Sequence, residues 1–516
     1  MMSITSNQLL YIFLCLELFL CANAEGQSPA NAKIKKPNII FILADDMGYG
    51  DVGCYNPESM IATPNMDKLA SQGIKFLDAH SPAALCTPSR YGLLTGRYCW
   101  RTSLQQGVIL GYDETPLIEK GRSTIATMLK DKGYSTACFG KWHLGMNWPT
   151  KNNYKIQNDF NKWFDNPVFL ENEMNIDFSK PISGGPTELG FDYFFGSLGC
   201  TTSDPPYCFI ENNHVFENPS ERSPSKYLGL PGFVPGGWSK NFPLEKVDVE
   251  FTNKAISYME NQIEKKSKEP FFVYLALSSP HNPFLPPDFT LGKSKEGPRG
   301  DLVMVVDWSV GKIMEFLKKQ GIEDNTLLIV TSDNGAVKGA NGHLSEWKFK
   351  GYKSNIWEGG HRVPFLARWP GRIKPGTSSE EVISLTDMFA SFSSLVSHTV
   401  TKNEGEDSYN VLPAILGGKS KASNAAVRIF HSGAGFFAVR KGNWLLVQGT
   451  SGPGSGNIDI TADSLKGKGQ LYNLLQDPFQ KINLWRDKPS LRDSLAALIE
   501  NVKNHPGSNQ KFIQSF

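Results

Sequence analysis

Cys86 opens the string Cys86-Thr87-Pro88-Ser89-Arg90, which continues to Thr95-Gly96. Pro88 suits the first turn of a helix, and Ser89 can satisfy free backbone N–H groups there. Cys86 is therefore expected at a helix N-terminus, where the backbone field is positive and Arg90 adds to it. Such a place suits a nucleophile that attacks an anionic substrate. The ordinary role of a lone cysteine is a buried thiol or half of a disulfide, so the chemical reading rests on the whole string.

Other ionisable groups stand at the ends of apolar runs. Asp45 and Asp46 follow one such run. Adjacent carboxylates repel each other; they form either a solvated turn or a place for a cation. Asp333-Asn334 follows another run and brings a carboxylate and an amide oxygen. These are hard oxygen ligands without a His or Cys cluster to favour zinc, a composition that suits Ca²⁺ or Mg²⁺. Lys141 and His143 are separated by one residue, so an extended chain puts them on the same side. His281 lies among prolines just past a third run. Taken alone, Lys353 reads as a solvated surface lysine.

Four apolar runs must position these groups. Asn38–Ala44, the run leading to Gly140, Phe271–Leu277 and Thr326–Val330 read as strands buried on both faces, as in a parallel sheet. In open α/β sheets the site lies at the carboxyl ends of the strands. Helices are expected after Thr63, which would cap Pro64, after Ser123, over Val249–Lys265, over Asp301–Gln320 and over Asp387–Leu395. Residues 147–245 are rich in Asn, Pro, Gly and aromatics, with weak periodicity. They read as long excursions that shape a substrate pocket, with Ser203-Asp204 as a substrate-contacting pair. A looser stretch from Thr399 to Ala425 reads as a linker to antiparallel strands around Ala438–Arg440 and Trp444–Val447, with a final helix over 486–503.

Four separated strings carry a family resemblance. Cys86-Thr87-Pro88-Ser89-Arg90 with Thr95-Gly96 resembles the signature of the type I sulfatases, and the string from Gly133 to Gly145 resembles their second signature. The segment Gly351 to Pro364 is similar to their G-x-K-x-x-x-x-E-G-G-x-R-V-P element, and the Leu471 to Leu484 region is similar to the end of such chains. The resemblance implies an alkaline-phosphatase-like α/β fold: a mixed, mostly parallel sheet between helices (25–400) and a smaller C-terminal antiparallel-sheet subdomain (426–516). It implies that a formylglycine-generating maturation enzyme oxidises Cys86 to formylglycine (3-oxoalanine). It also implies that Asp45, Asp46, Asp333 and Asn334 bind Ca²⁺ with an oxygen of modified Cys86. Lys141, Lys353 and His281 would clamp the sulfate, His281 or Lys353 would protonate the leaving oxygen, His143 would release the sulfate and Arg90 would hold the hydrate. The implied substrate is a sulfated carbohydrate or an aryl sulfate.

The chain has 516 residues and a net charge of +2, so nothing points to nucleic acid. Leu9–Leu20 is mostly apolar, interrupted by Glu17, and too short to span a bilayer, and Ala22-Asn23-Ala24 is a small-residue cleavage site. Residues 1–24 are thus expected to be a signal peptide, the mature protein to be secreted or periplasmic, and no integral membrane segment to remain. Cys200 and Cys208 are close enough in sequence to close a small disulfide loop. Two competing readings are a phosphomonoesterase or phosphodiesterase on the same fold, which normally uses Ser or Thr and histidine-bound metals, and a non-catalytic binding protein.

Overall fold

The computed structural model describes residues 36–112, 115–156, 167–265, 269–422, 426–449 and 469–508. The expected signal segment lies outside them. The four apolar runs are strands: β1 (Asn38–Ala44), β3 (Ser135–Lys141), β5 (Phe271–Ala276) and β6 (Thr326–Ser332). Their neighbours are β2 (Ile74–Phe76), β4 (Tyr193–Ser197) and β7 (Phe365–Arg368). The large sheet holds them in the order β2-β7-β6-β1-β5-β3-β4, with short strands at both edges. The five strands from β6 to β4 run parallel, and β7 is antiparallel to both of its neighbours.

Alternate strand residues feed two separate cores, which is why the middles of these runs are apolar on both faces. Ile40, Ile42, Val273, Leu275, Leu328 and Val330 pack with helices α1 (Pro64–Ser71), α4 (Val247–Glu264) and α5 (Pro298–Lys319). Ile39, Phe41, Phe272, Tyr274, Leu327 and Ile329 pack with α2 (Cys86–Thr95), α3 (Ile125–Asp131) and α6 (Met388–Leu395). A second sheet of β8 (Val427–His431), β9 (Phe437–Lys441), β10 (Trp444–Val447) and β11 (Gln470–Asn473) is antiparallel throughout. One face of it carries α7 (Pro489–Asn504) through Leu495, Ile499 and Val502. The other face meets Ile356 and Trp357.

Several local expectations change. Thr124, not Ser123, caps α3: its side chain accepts the Thr127 N–H and Thr127 returns the bond. Thr63 stands at the N-cap of α1 without a side-chain cap bond. The carboxylate of Asp307, reaching across from α5, accepts the Asn65 and Met66 N–H groups instead. The excursion 147–245 contains β4, a full member of the parallel sheet, whose aromatic run Tyr193-Phe194-Phe195 is short and flanked by glycines. Within 399–425, Val411, Ala414 and Ile415 are buried in the core beside α6.

Candidate active site

Strand register brings the acidic groups together. Ala44 pairs with Ser332, Leu43 with Ala276, and Ala276 with Gly140. The next residues along β1, β6 and β3 are Asp45, Asp333 and Lys141, so all three emerge at one sheet edge. Gly140 has φ +100°, and a Cβ there would lie 1.9 Å from the Ala276 carbonyl oxygen; only glycine lets β3 approach β5 this closely ahead of Lys141. Asp46 (φ 66°) and His143 (φ 56°) adopt the left-handed backbone region although neither is glycine. Such conformations persist where the surroundings enforce them, and they cluster at functional sites.

Cys86 is the first residue of α2, as expected, and every residue of that helix is buried. Ser89 behaves differently from the expectation: its hydroxyl donates to the Ala83 carbonyl (2.8 Å) and fixes the turn before the helix instead of capping it. Arg90 binds Asp333 through Nε (2.9 Å) and Nη2 (2.7 Å), and donates to the Lys141 carbonyl (2.9 Å). Lys141 Nζ lies 2.6 Å from Asp45 Oδ2, and Lys353 Nζ lies 2.6 Å from Asp46 Oδ2. Lys353 is held by its own N–H on the Ala336 carbonyl, and the next residue, Ser354, bonds both Ala84 and Gly433. The loop thus ties the Cys86 turn to the second sheet.

Three carboxylates, Asp45, Asp46 and Asp333, therefore face three cations, Arg90, Lys141 and Lys353. Burial alone would raise the Asp45 pKa, but Lys141, His281 and Arg90 outweigh it and hold the carboxyl below its ordinary range. Burial and the repulsion of Asp45 push Asp333 well up, against the pull of Arg90. Burial would lower the Lys141 pKa, yet Asp45 holds it well above the usual lysine range. Within this patch two buried acceptor atoms, Asp45 Oδ1 and Asn334 Oδ1, have no hydrogen-bond partner among the described residues. An unsatisfied buried acceptor costs about 1–3 kcal/mol. Asn334 Nδ2 donates to Asp46 Oδ1 (2.7 Å), and Asp46 N–H reaches Asp333 Oδ1 (3.2 Å), so four oxygen-bearing side chains share one patch. An oxygen from each of Asp45 and Asp333 and the Cys86 sulfur lie within 4.8 Å of one another. Hard oxygens, two of them orphaned, fit a Ca²⁺-like cation.

The two histidines stand above this floor. His143 Nε2 donates to the Ile109 carbonyl (2.6 Å), which leaves Nδ1 as the basic nitrogen. His281 Nδ1 donates to the Asn282 carbonyl (2.6 Å), and its Nε2 lies 3.8 Å from Asp46 Oδ2. Burial and Lys353 push the His281 imidazole down. All ten residues expected at the site, Cys86 included, are thus gathered in one place. The expected Cys200–Cys208 disulfide is not formed, since both are free thiols. Cys200 Sγ instead lies 3.9 Å from nitrogens of both His143 and His281, with Cys86 in the same cluster. With burial opposing, a hydrogen bond from Cys200 together with Lys141 and His143 holds the Cys86 thiol well below its ordinary pKa. The sequence gives no warning of Cys200, because a thiol in an irregular loop carries no periodic signal.

A cavity of about 1050 Å³ opens over Cys86, His281 and Lys353. Its walls include Val108, Leu230, Val234, Phe284, Leu285 and Val337, with Gly433 and Ala434 from the turn after β8. Ser203 and Asp204 line it too, as expected from the sequence.

The Sulfatase family model matches residues 37–398. An N-acetylgalactosamine-6-O-sulfatase of Bacteroides thetaiotaomicron is 32% identical, with 96% of this chain and 99% of that protein covered. Human arylsulfatase A is 32% identical over 88% of this chain and 84% of its own length. A structure solved in work on the metabolism of multiple glycosaminoglycans by Bacteroides thetaiotaomicron superimposes with a TM-score of 0.74. It is 31% identical, with 91% of this chain and 99% of that chain covered.

Proposed function

The chain belongs to the sulfatase family, and on that premise we propose that it hydrolyses a sulfated sugar using formylglycine made from Cys86 and a bound Ca²⁺. The observation that carries the finer reading is the buried floor beneath Cys86, where three carboxylates and Asn334 leave two oxygens without partners. The sugar preference is supported by the near full-length relative named N-acetylgalactosamine-6-O-sulfatase.

Asp45, Asp46, Asp333, Asn334 and the side chain at position 86 would hold Ca²⁺, which supplies positive charge against the sulfate oxygens. Formylglycine, hydrated by one water to a geminal diol, would supply the attacking hydroxyl and a second hydroxyl that allows release without another attack at sulfur. Three carboxylates face three cations, so a bound divalent cation would leave the floor net positive, as an anionic ester requires. Lys141 and Lys353 keep their charge next to the sulfate because Asp45 and Asp46 hold them protonated. His281 directs Nε2 at the site; a bound anion raises its proton affinity, so it can protonate the leaving oxygen, with Lys353 as the other donor. His143, its Nε2–H committed to Ile109, offers Nδ1 as the base for the second hydroxyl. Arg90 keeps Asp333 and the Lys141 backbone in register.

Maturation would need a formylglycine-generating enzyme as partner. Secretion or periplasmic export is supported by the apolar run Leu9–Leu20 and the Ala22-Asn23-Ala24 site; among the described residues no helix is long and apolar enough to cross a membrane. The test is the mass of the tryptic peptide Phe76–Arg90 from protein made with such an enzyme. The aldehyde is expected, together with sulfate release that Cys86→Ala abolishes. A persistent thiol beside a fully matured control sulfatase, or full activity in Cys86→Ala, would sink the mechanism.

A further inference from the structure

The cavity wall holds a feature that sulfate chemistry does not need. Among the residues lining it, Asp204 is the sole carboxylate, in a cavity whose walls also carry Leu230, Val234, Phe284, Leu285 and Val337. A negative charge beside the binding place of an anionic sulfate is unfavourable unless it recognises something else on the substrate. Its position is fixed relative to the nucleophile. Asp204 N–H donates to the Cys200 carbonyl (2.9 Å), and Asp204 Oδ2 accepts the Cys200 N–H (3.1 Å). Ser203 Oγ donates to Oδ1 at 3.3 Å. The thiol of that same Cys200 touches His143 and His281. The carboxylate is therefore pre-organised by one closed turn that also places a thiol beside position 86. An ionised carboxylate has about four lone-pair sites. One backbone N–H and one hydroxyl leave acceptor capacity, and Asp204 is only partly buried, at the cavity surface.

We infer that Asp204 is a specificity-determining residue that accepts a hydrogen bond from a hydroxyl or acetamido N–H of the sulfated ring, and so selects sugar sulfates over aryl sulfates. A phenyl ring has no such donor, and in its complex the carboxylate would be desolvated against an apolar edge without compensation. Cations and apolar surface in the rest of the site accept either substrate. This rests on the sulfatase reading of the site and goes beyond it by assigning the choice of substrate to one side chain.

The test uses the matured full chain and measures kcat/KM for N-acetylgalactosamine 6-sulfate, for its 3-deoxy, 4-deoxy and 2-deacetamido analogues, and for 4-nitrophenyl sulfate. Wild type is compared with Asp204→Asn and Asp204→Ala. Asparagine keeps an acceptor for the Cys200 N–H, so it separates recognition from collapse of the turn. In wild type, one of the three analogues is expected to lose about 30-fold, the worth of a hydrogen bond to a charged group. That analogue should lose no more than about threefold in Asp204→Asn, and the sugar-to-aryl ratio should fall by about 30-fold. A wild type that prefers the aryl ester, a ratio unchanged in both variants, or an analogue penalty equal in wild type and Asp204→Asn would each overturn the assignment. No turnover of any ester by wild type carrying the aldehyde would overturn the sulfatase reading beneath it, and the inference with it.

Discussion

The floor beneath Cys86 and the wall above it are built on opposite principles. The floor is charged, dry and rigid: Asp45, Asp333 and Lys141 continue three parallel strands, and Arg90 projects from a helix buried along its whole length. The wall is apolar and irregular, with Leu230, Val234, Phe284 and Leu285 standing on loops between elements. The chemistry needs groups held to within a few tenths of an ångström in a place free of water, which strand ends supply. Recognition needs surface that can vary without disturbing the sheet, which loops supply. Substitutions in the floor should therefore damage stability and turnover together, and those in the wall should act on binding.

The largest effect is expected from Asp45→Ala. It leaves buried Lys141 without its 2.6 Å partner and removes an oxygen that would hold the cation. Breaking a buried pair costs about 3–5 kcal/mol. The activity should fall by at least a thousandfold, about 4 kcal/mol in transition-state terms, with a lower melting temperature. Metal chelation of the wild type should reproduce the activity loss, and added Ca²⁺ should restore it. Full activity after exhaustive chelation would dissolve the distinction between floor and wall, because the carboxylates would then have no more than a packing role.

The same contrast explains which residues the sequence makes legible. Several site residues stand out because each lies at or shortly after the end of a mainly apolar run, and a doubly buried strand leaves few alternatives for where it ends. Asp45, Lys141, His281 and Asp333 all follow that logic. Lys353 does not, because only its surrounding string distinguishes it; in the structure its own backbone bond to Ala336 and those of Ser354 to Ala84 and Gly433 fix it. The wall is legible in outline alone. Ser203 and Asp204 line the pocket as their stretch suggests, but the spacing of Cys200 and Cys208 points to a disulfide that is not there, since spacing says nothing about which way a loop turns. Strand β4 is hidden inside the excursion because five residues are too few for a pattern. The cap of α1 is invisible locally because its acceptor, Asp307, comes from a helix 241 residues beyond Met66.

A wall substitution should give a smaller and different result. Phe284 lines the cavity and is 37% exposed, so its truncation opens no core void. Phe284→Ala is expected to raise KM by about five- to tenfold, because the ring's apolar packing on the substrate is the same in ground and transition states, with kcat within about twofold. Steady-state kinetics on one sulfate ester decide this. A fall in kcat comparable with that of Asp45→Ala would mean that the wall takes part in the chemistry.

The smallest effect on turnover concerns His431, which lies where the two regions meet. Its carbonyl accepts the Ala84 N–H just ahead of Cys86, and two residues later Gly433 lines the cavity. The imidazole is buried with no partner for Nε2 among the described residues, and burial pushes its pKa from 6.5 down to about 4. The neutral form is thus the one that folds. Above pH 6.5 both states are neutral and its contribution is fully present; as pH falls below 6.5 the unfolded chain takes up a proton that the fold refuses until about pH 4. Stability is lost across that window, by on the order of 3 kcal/mol at its acid end. His431→Phe removes the titration and keeps a ring against Phe437. Its melting temperature should fall less steeply than the wild type's between pH 6.5 and 4, while activity at pH 7 stays within about twofold, since only the His431 backbone meets the Cys86 turn. Superimposable acid limbs in thermal melts would show that the ring is protonated in the fold, and that the junction between floor and wall is wetter than the structure makes it.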